Sequence, residues 1–145
     1  MSCTPPSRHP GVVRRTRIEL VQSRIVTRDV ESLARFYSAL IGAEVVVNEY
    51  YVEIPTTAQK IAFSRERFSD FAEPTCGPPS GVHAGEVILD FAADDLDGEF
   101  AHADALGVEW VLKPTMQPWG RRSMMFRDPQ GHLVSVFSKK EGVDL

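Results

Sequence analysis

The chain has 145 residues, a formal net charge of -4 and two cysteines. That length suits one domain or two small fused modules, and 43% hydrophobic with 25% charged residues is ordinary for a soluble globular protein. Basic pairs at Arg14-Arg15, Arg121-Arg122 and Lys139-Lys140 are scattered and build no stripe, which argues against a nucleic-acid partner. Cys3 and Cys76 stand outside any CxxC or CxxH context, so neither a disulfide framework nor a zinc site is expected. No segment approaches the ~18 consecutive apolar residues of a membrane span. The first residues lack the apolar stretch of a signal peptide, and a cytoplasmic location is the expectation.

Residues 1–17 are rich in Pro and Arg, without periodicity, and read as a loose arm. Ile18 to Val26 is apolar and β-branched, a strand. Val30, Leu33, Phe36, Tyr37, Leu40 and Ile41 then fall on one helical face, with Asp29 or Thr27 as N-cap and Gly42 as stop. Ala43 to Val47 reads as a second strand, Tyr50 to Ile54 as a third and Lys60 to Ser64 as a fourth. Residues 67–84, with Pro and Gly around Cys76, read as a linker. The order then begins again. Glu86 to Ala92 is a strand, and Asp95 opens a helix through Leu96, Phe100, Ala103 and Leu106 to Gly107. Val108 to Leu112, Arg121 to Phe126 and His132 to Phe137 are strands, the last two joined by the turn Asp128-Pro129-Gln130-Gly131.

The chain thus reads β-α-β-β-β twice, over 18–66 and 85–140, with a tail at 141–145. Leu40-Ile41-Gly42-Ala43-Glu44-Val45 answers Ala105-Leu106-Gly107-Val108-Glu109-Trp110, and Ala62-Phe63-Ser64-Arg65 answers Val136-Phe137-Ser138-Lys139. A module of roughly 50 to 60 residues is too small to bury both faces of its sheet alone, a physical reason to fuse two.

From Ile18 to Ser138 the chain resembles the vicinal oxygen chelate superfamily of glyoxalases, extradiol dioxygenases and bleomycin-resistance proteins. The resemblance rests on Asp-Val-Glu-Ser-Leu-Ala-Arg-Phe-Tyr at 29–37 and Phe-Arg-Asp-Pro-Gln-Gly-His-Leu-Val-Ser-Val-Phe at 126–137. Gln117-Pro118-Trp119-Gly120 looks like the bleomycin-resistance branch. The resemblance implies an α+β fold of two βαβββ modules whose sheets form a concave cleft, helices outside, and a homodimer. It also implies that a metal, where used, is held from the first and last strand of each module. Seven residues before each helix-opening Asp stand Gln22 and Ile88; the last-strand positions map to Ser135 and Ile61. Divalent metals need carboxylate, imidazole or thiolate donors, and this set offers none. A one-residue slip, to Ser23, Leu89, Ala62 and Val134 or Val136, does not repair it. No metal and no cofactor are expected.

Strand alternation from these positions places Gln22, Arg24, Val26, Ile61, Phe63, Ile88, Asp90, Ala92, Leu133, Ser135 and Phe137 on the cleft. Ile25, Leu89, Phe91, Val134 and Val136 should lie under the helices. Such an apolar and aromatic lining suits a small molecule. Gln22, Arg24, Phe63, Ile88, Asp90, Trp119, Arg121, Ser135 and Phe137 are the candidate ligand-binding residues. Arg24 and Asp90 stand at equivalent places and are either a polar handle or a self-satisfied cross-sheet ion pair, the second being simpler. Trp119 either stacks on a planar ligand beside Arg121 or Arg122, or anchors its loop. Tyr51 and Glu53 share a face that is either cleft rim or solvent. None of His9, His83, His102 and His132 falls on a first-strand ligand position, and no GxSxG, GxGxxG or GxxxxGK[ST] occurs. The expected function is metal-independent binding of an apolar or aromatic drug or metabolite. A lyase, isomerase or dioxygenase of the same fold, with Asp90 as its base, is the first alternative, and a ligand-free dimeric structural or regulatory module is the second.

Overall fold

The computed structural model describes residues 17–65, 82–118 and 120–140. The expected arm up to residue 16, most of the linker, Trp119 and the tail lie outside the described residues. The elements run β1 (Ile18–Thr27), α1 (Val30–Ile41), β2 (Tyr51–Ile54), β3 (Lys60–Arg65), β4 (Val87–Ala93), α2 (Leu96–Ala105), β5 (Glu109–Met116), β6 (Arg122–Arg127) and β7 (Leu133–Ser138). All strands belong to one mixed, open sheet of order β2-β3-β1-β4-β7-β6-β5. The two halves meet at its centre, where β1 pairs antiparallel with β4.

The helix boundaries follow the local chemistry. The Asp29 carboxylate accepts from Ser32 N at 3.0 Å, and Asp95 accepts from Gly98 N at 3.1 Å, each meeting an orphan donor of the first turn. Gly42 closes α1 at φ 84°, a conformation that costs a side-chain-bearing residue but not glycine. Thr27, the other cap candidate, instead accepts from Asp29 N at 3.1 Å.

Both helices lie on one face of the sheet. Val30 and Ala34 of α1 bury against Val52, Ile54 and Phe63, with Ile25, Tyr37 and Ile61 around them. Leu96 of α2 buries against Met124 and Val136, with Phe91, Phe100, Trp110, Phe126 and Val134. The period-2 pattern of each strand thus feeds two cores, one per half, under two helices. The opposite face carries no helix among the described residues. A third apolar cluster, Val26, Val82, Ile88, Met125 and Leu133, lies on that side.

Two expectations are corrected. Ala43 to Val47 is not a strand, so the first half holds three strands and the second four. Its alternation is real, because Ala43, Val45 and Val47 pack against the α1 core. Its backbone, however, finds no ladder. The Ser38 hydroxyl donates to the Ala43 carbonyl, tying the segment to the helix end. The Asn48 side chain accepts from Tyr51 N and donates to Tyr51 O, both at 2.9 Å. It therefore occupies the edge groups that a neighbouring strand would need.

The second correction concerns the faces. Arg24 pairs with Ala62 and Ile25 with Phe63 in the parallel β1–β3 register. Ile61 and Phe63 therefore lie under α1, not on the cleft side, and Phe63 stacks on Tyr37 with centroids 5.2 Å apart. Matching Ala62 to Val136 slips the two halves by one residue. In a strand, one residue inverts the face.

Candidate functional site

The register places the helix-free face in transverse rows. One row runs Glu53, Ala62, Arg24, Ile88, Leu133, Arg127 across β2, β3, β1, β4, β7 and β6. The next runs Lys60, Gln22, Asp90, Ser135, Met125. A β-bulge between Leu20 and Gln22 sits beside this second row. It brings Glu19, opposite Ala92, onto the same side as Gln22 three residues later.

Asp90 stands at the seam between the halves and is 3% exposed. Arg24 grips it with a two-pronged fork, Nε to Oδ2 at 3.0 Å and Nη2 to Oδ1 at 3.0 Å. Gln22 Nε2 adds a bond to Oδ2 at 2.8 Å. Charge and geometry are thus matched inside the protein, the condition under which a buried pair persists. Of the two readings of Arg24 and Asp90, the structure displays the ion pair.

Gln22 extends the network outward. Its Nε2 also donates to the Tyr51 hydroxyl at 3.1 Å, which donates to Glu53 Oε2 at 2.6 Å. Lys60 Nζ closes the chain on Glu53 Oε1 at 3.0 Å. Burial, then the Glu53 hydrogen bond, holds the Tyr51 phenol far above its ordinary value, so it stays a donor at neutral pH. Burial pushes the Glu53 carboxyl up, but the bonds from Tyr51 and Lys60 and the nearby Lys60 and Arg24 charges outweigh it and leave it lowered. Tyr51 and Glu53 therefore form the rim of the helix-free face. The sequence offered only their alternation.

The register also locates the four positions that the resemblance assigns to a metal. Gln22 and Ile88 stand on β1 and β4. Asp90 pairs with Ser135 on β7, and Arg24, the counterpart of Asp90, pairs with Ala62 on β3. The fourth position is therefore Ala62 rather than Ile61. An amide, a methyl, a sec-butyl and a hydroxyl do not fit a divalent cation. Among the described residues no group of three His, Cys, Asp or Glu is placed to hold one.

The remaining candidates separate. Ile88 is fully buried in the apolar cluster with Leu133 and Met125. Ser135 is buried beside Asp90. Phe137 lies one row further, opposite Ser123, with the Arg121 guanidinium 5.6 Å from its ring centroid. Ser123 in turn accepts from Gln117 Nε2 at 2.9 Å. Gln22, Arg24, Ile88, Asp90, Ser135 and Phe137 are brought to one face, whereas Phe63 is not. His132 is explained by its hairpin, Nδ1 lying 3.0 Å from Asp128 Oδ2. No helix among the described residues is long and apolar enough to cross a membrane.

Three solved structures share the fold. A hypothetical protein from Bacillus halodurans C-125 is 12% identical, with TM-score 0.64, 90% of this chain and 100% of that chain covered. A methylmalonyl-CoA epimerase of Streptomyces coelicolor, as its S115T form with 2-nitronate-propionyl-CoA, is 17% identical, with TM-score 0.54 and coverage of 87% and 98%. A glyoxalase/bleomycin resistance protein/dioxygenase superfamily member from Vibrio splendidus 12B01 is 14% identical, with TM-score 0.54 and coverage of 84% and 99%. At these identities the likeness is one of fold. No curated protein matches the sequence. The family model for the Glyoxalase/Bleomycin resistance protein/Dioxygenase superfamily matches residues 17–136, most of the chain. With the repeated helix caps and the seven-stranded open sheet, that match places this chain in the glyoxalase/bleomycin resistance protein/dioxygenase superfamily.

Proposed function

We propose that the chain binds an apolar or aromatic small molecule, a drug or metabolite, on the helix-free face between its two halves, without a metal. The observation that carries this reading is the donor chemistry of Gln22, Ala62, Ile88 and Ser135, which cannot hold a divalent ion. Asp90, the adjacent carboxylate, is engaged by Arg24 and Gln22. It is therefore poorly placed to serve as the base of a lyase or isomerase. Phe137 with Arg121 above it supplies apolar and planar contact area. Trp119 belongs to the same proposal by its place in the sequence. We take the two halves as modules of 18–66 and 85–140, and the working form as a cytoplasmic homodimer with no nucleic-acid or membrane partner.

A thermal-shift panel of planar aromatic compounds tests the binding. Stabilisation by a subset is expected, and stabilisation by none would remove the proposal. Metal analysis of the purified, unchelated protein tests metal independence. A stoichiometric divalent ion, or metal-dependent glyoxalase or dioxygenase turnover, would overturn it in favour of an enzyme.

A further inference from the structure

The Gln22 side chain carries an unmet demand. Gln22 is 6% exposed, and its Oε1 is enclosed with no hydrogen-bond partner among the described residues. The amide orientation is not free. Turning it over would set Oε1 against Asp90 Oδ2, at the place where Nε2 now donates at 2.8 Å. The same turn would break the donation to the Tyr51 hydroxyl, whose proton is given to Glu53. Oε1 is therefore held as an acceptor without a donor, which costs free energy wherever it is buried.

The charges around it are already matched. Asp90 is paired with Arg24, and Glu53 with Lys60. A cation at this place would find no spare carboxylate among these four, and an anion would face the carbonyl dipole. What the network lacks is one neutral N–H or O–H.

We propose that Gln22 is a specificity-determining residue, and that the ligand is an uncharged molecule which donates a hydrogen bond to its Oε1. This deepens the proposed function and rests on it. Tyr51, on the edge strand β2, is bonded to the nitrogen of the same amide and borders the place that such a donor takes. The ligand hydroxyl or N–H then supplies the missing bond, and its apolar body lies on the helix-free face.

Titrating the full-length chain with naphthol, methoxynaphthalene and naphthoate, followed by ligand-detected NMR, tests this. Naphthol is expected to bind roughly fivefold or more tightly than methoxynaphthalene, the worth of one neutral hydrogen bond, and naphthoate more weakly than naphthol. Gln22→Met, which keeps the length and removes the acceptor, should level naphthol and methoxynaphthalene. Equal binding of those two by the unaltered chain, or tighter binding of naphthoate, overturns this proposal and leaves the binding reading standing. Binding of none of the three counts against both. Should Gln22→Met fail to give a cooperative melt, the three-probe series on the unaltered chain still decides.

Discussion

Replacing Arg24 by Met separates the buried pair from the solvent-exposed pairs elsewhere on the chain. The Arg24 side chain is 13% exposed and that of Asp90 4%, so neither charge is well screened by water. Both guanidinium bonds are 3.0 Å. Removing the guanidinium leaves a buried carboxylate with the Gln22 amide as its remaining side-chain donor among the described residues, a loss of about 3–5 kcal/mol. In a chain of this length that lowers Tm by roughly 6–20 °C. Urea unfolding followed by circular dichroism reads the loss as a lower midpoint at unchanged slope. The double variant Arg24→Met with Asp90→Leu removes both charges and should recover most of the loss. Asp90→Asn should also destabilise, since it removes the charge that the fork grips. A loss below about 1 kcal/mol for Arg24→Met, the range of a solvated pair, would refute the reasoning. Asp90→Asn with unchanged stability but weaker ligand binding would return the pair to the role of a ligand handle.

Phe63→Ala should cost about 3–5 kcal/mol in the same assay and leave ligand affinity of the folded protein unchanged, because Phe63 is fully buried beneath α1. Glu53→Gln tests the rim. The Glu53 carboxyl is lowered in the folded state, so its contribution is present above the unfolded value of about 4.3 and is lost as pH falls through the folded value. Thermal melts of the two proteins should differ most near neutrality and converge in acid; a gap that widens on acidification would contradict this. Gly131→Ala should cost about 1–2 kcal/mol from the backbone alone, since Gly131 sits at φ 90° and a Cβ there meets nothing within 4 Å. A neutral effect would mean that the turn relaxes.

Much of the fold was legible because its signals are local. Asp29, Gly42 and Asp95 mark helix ends through bonds that span only a few residues. Apolar and β-branched runs located the strands to within a few residues at most ends, since each has one face in a helix-covered core. The same signal does not separate Ala43 to Val47 from a strand, because an extended segment packed beside a helix end carries the same β-branched residues as a paired one. Only the backbone partner distinguishes the two, and here Asn48 and Ser38 take the relevant groups.

The candidate site divides the same way. The sequence by itself carried the family resemblance, through the motifs at 29–37 and 126–137, and the first-strand positions Gln22 and Ile88, which stand at a fixed distance from a helix cap. It also placed Arg24 and Asp90 at equivalent positions. The tertiary structure decided the rest. The parallel β1–β3 register put Ala62 rather than Ile61 beside Arg24 and turned Phe63 into the core. The antiparallel β1–β4 seam brought Gln22, Arg24 and Asp90 into one bonded cluster across 66 or more residues of chain. Register is a long-range choice with a period of two residues, so a one-residue slip in an alignment reverses a face while leaving every local signal intact.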